Sequence, residues 1–137
     1  MNKAESEAAG RWMSTQHRCA VCWWPKNDSR RATELHHICG GAARSKGHDA
    51  RNYLLLCERC HGIHHSGKIY GLSPDLSVAM LLSAKLESDP ANYDPEYLAY
   101  LRNRKHLGFD PAKVPDYYVT ERKANERPWT EREPWPK

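Results

Sequence analysis

Two short segments alternate or concentrate apolar side chains in the manner of strands. Residues 33–38 (TELHHI) and residues 53–57 (YLLLC) read as two strands, and the second is apolar enough to be buried. From residue 58 to about 66 the pattern suits a short helix, with Gly67 as its C-terminal stop. Between the strands, residues 39–52 hold Gly40, Gly41 and Gly47 with Arg44, Lys46, His48 and Arg51, the composition of an irregular basic loop. Two better-punctuated helices follow. Ser73-Pro74-Asp75 supplies an N-cap, a first-turn proline and an acidic first turn, and Leu76, Ala79, Met80, Leu81, Ala84 and Leu86 carry apolar positions to about Ser88. Asp94-Pro95-Glu96 repeats that start, and Tyr97, Leu98, Leu101 and Leu107 run to Gly108. Residues 1–15 are a weakly helical mixture containing Trp12 and Met13, a packed or fraying lead-in. Beyond Phe109 come Pro111, Pro115, Pro128, Pro134 and Pro136, which predict an extended arm carrying Tyr117, Tyr118, Trp129 and Trp135.

Composition adds two constraints. Hydrophobic content is 39%, and one Phe stands among thirteen aromatic residues of a 137-residue chain, so the core is thin and a metal staple is physically useful. Charge is unevenly spread. Residues 16–71 carry nine Lys/Arg against four Asp/Glu, residues 72–137 carry ten against eleven, and residues 1–15 balance. A net charge of +5 in the first of these stretches points to a polyanionic partner, nucleic acid being the commonest. No apolar run is long enough to cross a bilayer, and residues 1–10 are too polar for a secretory signal, which implies a cytoplasmic, reducing location.

In that setting five cysteines read as metal ligands plus one spare, Cys39. Cys19-x-x-Cys22 and Cys57-x-x-Cys60 each offer two thiolates to one tetrahedral ion, and together they predict a closed structural zinc site. The histidines need a different account. His61 and His65, four apart on the short helix, project from one face and can grip one ion, with His64 a possible alternative at the adjoining position. One histidine of TELHHI could complete an open three-imidazole site. His36 and His37 cannot both do so in a regular strand, because neighbours face opposite sides, and the other is then available as a base near neutral pH.

The ordered combination Cys19-x-x-Cys22, Leu35-His36-His37-Ile38, Asn52 before the apolar strand, and Cys57-x-x-Cys60-His61-x-x-x-His65 resembles an HNH endonuclease of the ββα-metal class with a four-cysteine zinc. The resemblance covers about residues 16–68. It implies a small zinc-braced ββα-metal finger, placed at residues 16–71; with the lead-in at 1–15, the helical extension at 72–108 and the Pro-rich extended C-terminal arm at 109–137 read above, the expected fold is α+β. It further implies metal-dependent hydrolysis of DNA phosphodiester bonds, with His37 as general base and Asn52 pinning the loop that orients it. His36, His61 and His65 would hold one catalytic divalent ion, Mg, Mn, Zn or Ni. Arg44, Lys46 and Arg51 would meet flanking phosphates. A homodimer or a phage or recombination protein are further possible partners.

Three other readings compete. Cys57-x-x-Cys60-His61 also fits a haem-attachment sequence, but that leaves Cys19, Cys22 and the His36/His37 pair unexplained. A zinc deaminase fits poorly, since no His-x-Glu precedes a Pro-Cys-x-x-Cys. A non-catalytic zinc module that binds DNA or protein is the principal alternative.

Overall fold

The computed structural model describes residues 1–40, 47–66, 74–101 and 119–126. Helix α1 (Lys3–Met13) is followed by strand β1 (Thr33–His37), strand β2 (Tyr53–Cys57), and helices α2 (Glu58–Ser66), α3 (Pro74–Ser88), α4 (Pro95–Leu101) and α5 (Val119–Glu126). Single 3-10 turns at Ala50–Asn52 and Pro90–Asn92 lead into β2 and α4. The architecture is α+β.

β1 and β2 pair antiparallel with Thr33 opposite Cys57 and His37 opposite Tyr53. Every residue of β2 is buried, because both faces of the hairpin are covered. On one face Leu54 and Leu56 pack with the cysteine knuckles, Ile63 of α2, Leu81 and Leu82 of α3, and Leu98 and Leu101 of α4. On the other, Tyr53 and Leu55 meet Ala9 and Trp12 of α1. The lead-in is thus a packed helix. It starts with a capping box: the Asn2 side chain accepts from the Glu5 N–H at 2.8 Å, and Glu5 reaches back to the Asn2 N–H.

A buried cation joins the layers. The side chain of Lys85 in α3 is fully buried, and its ammonium donates to the carbonyls of Ala50 (2.7 Å) and Tyr53 (2.8 Å) and to the Asp89 carboxylate (2.7 Å). It also lies 4.8 Å from the Trp12 ring centroid, and the Trp12 indole N–H donates to Asp89 at 2.9 Å. One ion pair therefore ties α1, α3 and the entry to β2 together.

Two expectations meet a different outcome. β1 ends at His37, where Ile38 leaves the ladder but still donates its N–H to the Asn52 carbonyl at 2.9 Å. The stretch expected to be an extended arm contains α5. Pro111, Pro115 and Pro128 lie outside Val119–Glu126, so this interval keeps all its amide donors, and its sequence, VTERKANE, is rich in helix formers. The remainder of the arm, with Tyr117, Tyr118, Trp129 and Trp135, lies outside the described residues, as do positions 102–108 of the helix expected to reach Gly108.

Substituting Lys85→Met keeps most of the side-chain volume but leaves Asp89 without its cation, which is expected to cost about 3 kcal/mol of unfolding free energy in urea. A loss under about 1 kcal/mol would show that the ion pair does not hold the layers. Acid should also weaken the fold. The Arg51 guanidinium holds Asp49 below the usual carboxylate range and the Tyr97 N–H does so for Asp94; at Asp89 burial raises the carboxyl, but the hydrogen bonds from Lys85, Trp12 and Asn92 together with the Lys85 charge bring it below that range. Carboxylates with depressed folded pKa values stabilise fully above their unfolded value near 3.8 and lose that contribution as pH falls through the folded ones. Burial acts in the same direction at His64, which stays neutral down to about pH 4, so the melting temperature should begin to fall near pH 6.5, where the unfolded chain takes up that proton, and fall further below about pH 4.

Candidate active site

The Cys19–Cys22 knuckle is a tight turn in which the Trp23 N–H donates to the Cys19 carbonyl (3.0 Å) and the Cys19 N–H to the Trp24 carbonyl (2.8 Å). It leans on β2 through the Ala20 N–H, which donates to Leu55 O at 2.8 Å. Closing this turn puts Trp23 at φ 67°, a left-handed conformation that is costly for a residue with a side chain. Arg18 and Arg122 stack over its ring at 3.9 and 4.8 Å. The second knuckle uses the junction of β2 and α2, with Cys57 ending the strand and Cys60 in the first helical turn.

All four cysteines are fully buried, and their sulfurs lie within 4.8 Å of one another. Zn–S bonds of about 2.3 Å in a tetrahedron place sulfurs about 3.8 Å apart, and Cys22 Sγ and Cys57 Sγ are 3.6 Å apart. The donor set and its spacing fit a structural zinc. Crowded thiols also compete for protons: hydrogen bonding with Cys19 pushes the Cys22 thiol up and holds Cys57 down. A divalent cation removes this competition by binding all four as thiolates.

Four thiolates around one such ion leave a net negative charge, and a buried guanidinium faces it. Arg31 donates toward Cys57 Sγ (3.6 Å) and Cys22 Sγ (3.9 Å) and stacks 4.1 Å over the Trp24 ring. Sequence reasoning passed over Arg31. The Trp-Trp pair after the first knuckle is the signal that could have found it, since a buried aromatic face beside anionic sulfur suits a planar cation.

The strand alternation separates the two adjacent histidines. His36 is buried on the α2 face, and its ring meets that of His61 edge-on at 4.9 Å. The carboxylate of Glu34, two residues back on the same face, lies 3.0 Å from His61 Nδ1. That contact engages Nδ1 of His61, the arrangement by which a carboxylate orients an imidazole ring. His64 is buried, and burial pushes its pKa down to about 4, so it is neutral at pH 7. The helix α2 includes His65, whose side chain lies outside the described part of the structure.

His37 occupies the α1 face. Its ring stands edge-on to Tyr53 at 5.3 Å, and its Nε2 is 3.3 Å from His48 Nδ1. Asn52 is fully buried and closes the loop between the strands: its Nδ2 donates to the Cys39 (3.0 Å) and Gly47 (3.1 Å) carbonyls, and its Oδ1 accepts from the Cys39 N–H at 2.8 Å. Cys39 itself is buried beside α4, with its sulfur 3.7 Å from Leu98 O.

Knuckle, hairpin, asparagine and helix occur here in one continuous order. Residues 19–67 match the HNH endonuclease family model. No curated protein and no solved structure matches the chain. The HNH segment is well under half of the 137 residues; α1, α3, α4 and α5 are mostly or wholly outside it.

Around the HNH segment, the cations named as phosphate contacts fare differently. Arg51 is engaged by Asp49 (2.9 Å) and Asp94 (3.1 Å) and lies 3.7 Å over Tyr97, so a phosphate would have to displace two carboxylates to reach it. Arg44 and Lys46 lie outside the described residues. Glu34 and His48, neither proposed as a site residue from the sequence, stand beside His61 and His37. Their roles depend on strand pairing and loop closure, which residue spacing does not reveal. A cavity of about 400 Å³ lined by Thr15, Gln16, His17, Arg18, Trp23, Glu87 and Ser88 sits at the first knuckle and is lined by none of the histidines at 36, 37 or 61.

Replacing Arg31 by Met removes the charge facing the thiolates while retaining bulk. In competition with a colorimetric chelator, Arg31→Met is expected to hold zinc about tenfold to a hundredfold more weakly than wild type. Equal affinities would assign Arg31 to packing on Trp24 alone.

Proposed function

We propose that this chain is a metal-dependent endonuclease that hydrolyses phosphodiester bonds of DNA. The observation that carries the reading is the pairing of His36 with His61, oriented by Glu34, inside a segment that matches the HNH endonuclease model. In this reading His36, His61 and His65 hold one divalent ion, and the four cysteines hold a zinc that serves only the fold. When bound, the catalytic ion supplies Lewis-acid stabilisation of the charge that grows on the phosphate oxygens. Imidazole donors favour Zn, Ni or Mn over Mg by ligand softness, while availability favours Mg.

The chain's own groups then have separate tasks. His37 ends β1 on the face opposite His36 and His61, so in this reading it takes the proton of an attacking water that lies beyond the end of the strand, where the two faces meet. Asn52 keeps residues 39 and 47 in register and so fixes the loop that follows His37. Glu34 holds the ring of His61. The net charge of +5 over residues 16–71 draws in the polyanion, with Arg44 and Lys46 proposed as phosphate contacts and Arg51 as a third if the substrate displaces its carboxylates.

A second reading is a non-catalytic zinc module that binds nucleic acid or protein. It is favoured by one observation: among the described residues, the four cysteines are the group of three or more Cys, His, Asp or Glu side chains that converges as a metal site. Chelator treatment separates the two readings. Supercoiled plasmid is incubated with protein stripped of loosely held ions and then supplied with Mg, Mn, Zn or Ni singly. The nuclease reading expects nicking to return with at least one ion, and His37→Ala to reduce its rate by about a hundredfold or more while leaving zinc content unchanged. Plasmid binding without ion-dependent cleavage would establish the second reading instead.

A further inference from the structure

His48 and Glu5 lie outside every role assigned so far, yet they complete a chain that ends on His37. His48 Nδ1 is 3.3 Å from His37 Nε2, and the two rings meet edge-on at 5.3 Å. On its other side His48 Nε2 is 3.5 Å from Glu5 Oε2. The His48 side chain is 13% exposed, so these contacts are largely sheltered from water. Glu5 is held in place twice: its N–H donates to Asn2 Oδ1 at 2.8 Å, and its second oxygen accepts from the Asn2 N–H at 3.5 Å. The helix that carries it is anchored to the sheet by Ala9 and Trp12 against Tyr53 and Leu55.

We propose that Glu5 and His48 are positioning residues that lock His37 in the Nε2–H tautomer and so place its basic lone pair on Nδ1. The proposal rests on the reading of His37 as the base only for its catalytic consequence. The tautomer follows from donor and acceptor counting. A carboxylate accepts and cannot donate, so the His48 nitrogen facing Glu5 carries the hydrogen. With the His48 ring neutral, and therefore carrying one donor and one acceptor nitrogen, His48 Nδ1 is the acceptor; this is the state the proposal assigns to it. His37 Nε2 must then be the donor in the contact at 3.3 Å, and the lone pair of His37 falls on Nδ1. When Nδ1 takes a proton from water, both nitrogens of His37 carry hydrogen, and the imidazolium faces the acceptor of His48 with the Glu5 carboxylate behind it. No proton has to travel along the chain. The logic is that of a carboxylate fixing a catalytic imidazole, with one imidazole interposed.

The test uses the full chain labelled with ¹⁵N-histidine, metal-loaded as purified, with long-range ¹H–¹⁵N spectra that distinguish the two neutral tautomers of each ring. Wild type is expected to show His37 as Nε2–H. His48→Leu should abolish that preference, and His48→Gln, which keeps an acceptor, should restore it. In the plasmid assay His48→Leu should lower kcat by about a hundredfold with KM little changed, His48→Gln should recover most of that loss, and Glu5→Gln, compatible with the capping box, should fall between. A wild-type spectrum showing His37 as Nδ1–H overturns the relay without reference to any variant or to activity. An unchanged His37 tautomer in folded His48→Leu overturns it as well, as does an unchanged kcat. If the tautomers behave as expected in a protein that cleaves no DNA, the relay stands and the nuclease reading is what fails.

Discussion

Convergence of four buried thiolates on one point is the constraint from which the rest of the molecule takes its geometry. Cys57 is at once the last residue of β2, the register partner of Thr33, and the start of the turn that delivers Cys60 into α2. Holding Cys57 and Cys60 against Cys19 and Cys22 therefore fixes where α2 begins and its rotation about its own axis. Successive helical residues turn by about 100°, so a start shifted by one residue would carry His61 away from His36. A core this thin gains both stability and direction from such a node, and Arg31 makes burial of its charge tolerable.

Around that node the hairpin is a partition with two occupied sides. The α2 face collects Glu34, His36 and His61, while the α1 face collects His37, His48 and Tyr53. Period-two alternation alone sends the two neighbouring histidines to opposite sides, and burial of β2 on both faces prevents slippage, since a one-residue shift would exchange them. Asn52 sits where the loop returns to the sheet and satisfies three backbone groups there. The chemistry proposed for the HNH segment thus depends on a backbone feature as much as on the identity of its donors.

The elements outside the HNH segment attach by buried polar contacts as well as by apolar packing. Lys85 with Asp89 binds α3 to α1 and the sheet. Helix α5 reaches the first knuckle in a similar way, with Arg122 donating to Val21 O at 2.6 Å and Asn125 to Cys22 O at 2.7 Å. Backbone carbonyls next to metal-binding thiols need donors when buried, and α5 supplies them from 101 and 103 positions away in sequence. The stack of Arg122 on the strained Trp23 gives a reason for a tryptophan at a position where glycine would be easier.

Much of this was legible in the linear chain because it rests on local rules. Paired Cys-x-x-Cys spacing, the continuous apolar run of β2, the proline-marked starts of α3 and α4, and the split of His36 from His37 all follow from helix and strand periodicity and from ligand chemistry within a few residues. What stayed hidden is non-local. Nothing near Glu5 announces that α1 brings it to His48, 43 residues later. Nor does the sequence around Glu34 announce His61, 27 residues on, or that around Arg31 the thiolates of the second knuckle. Proline content was misleading at α5, because it marks where a helix must stop and says little about the interval between. The sequence by itself determined which side chains could bind metal and on which face of a strand or helix each would lie. Only the tertiary structure decided which faces meet, since that depends on how α1 and α2 close over the two sides of one buried hairpin.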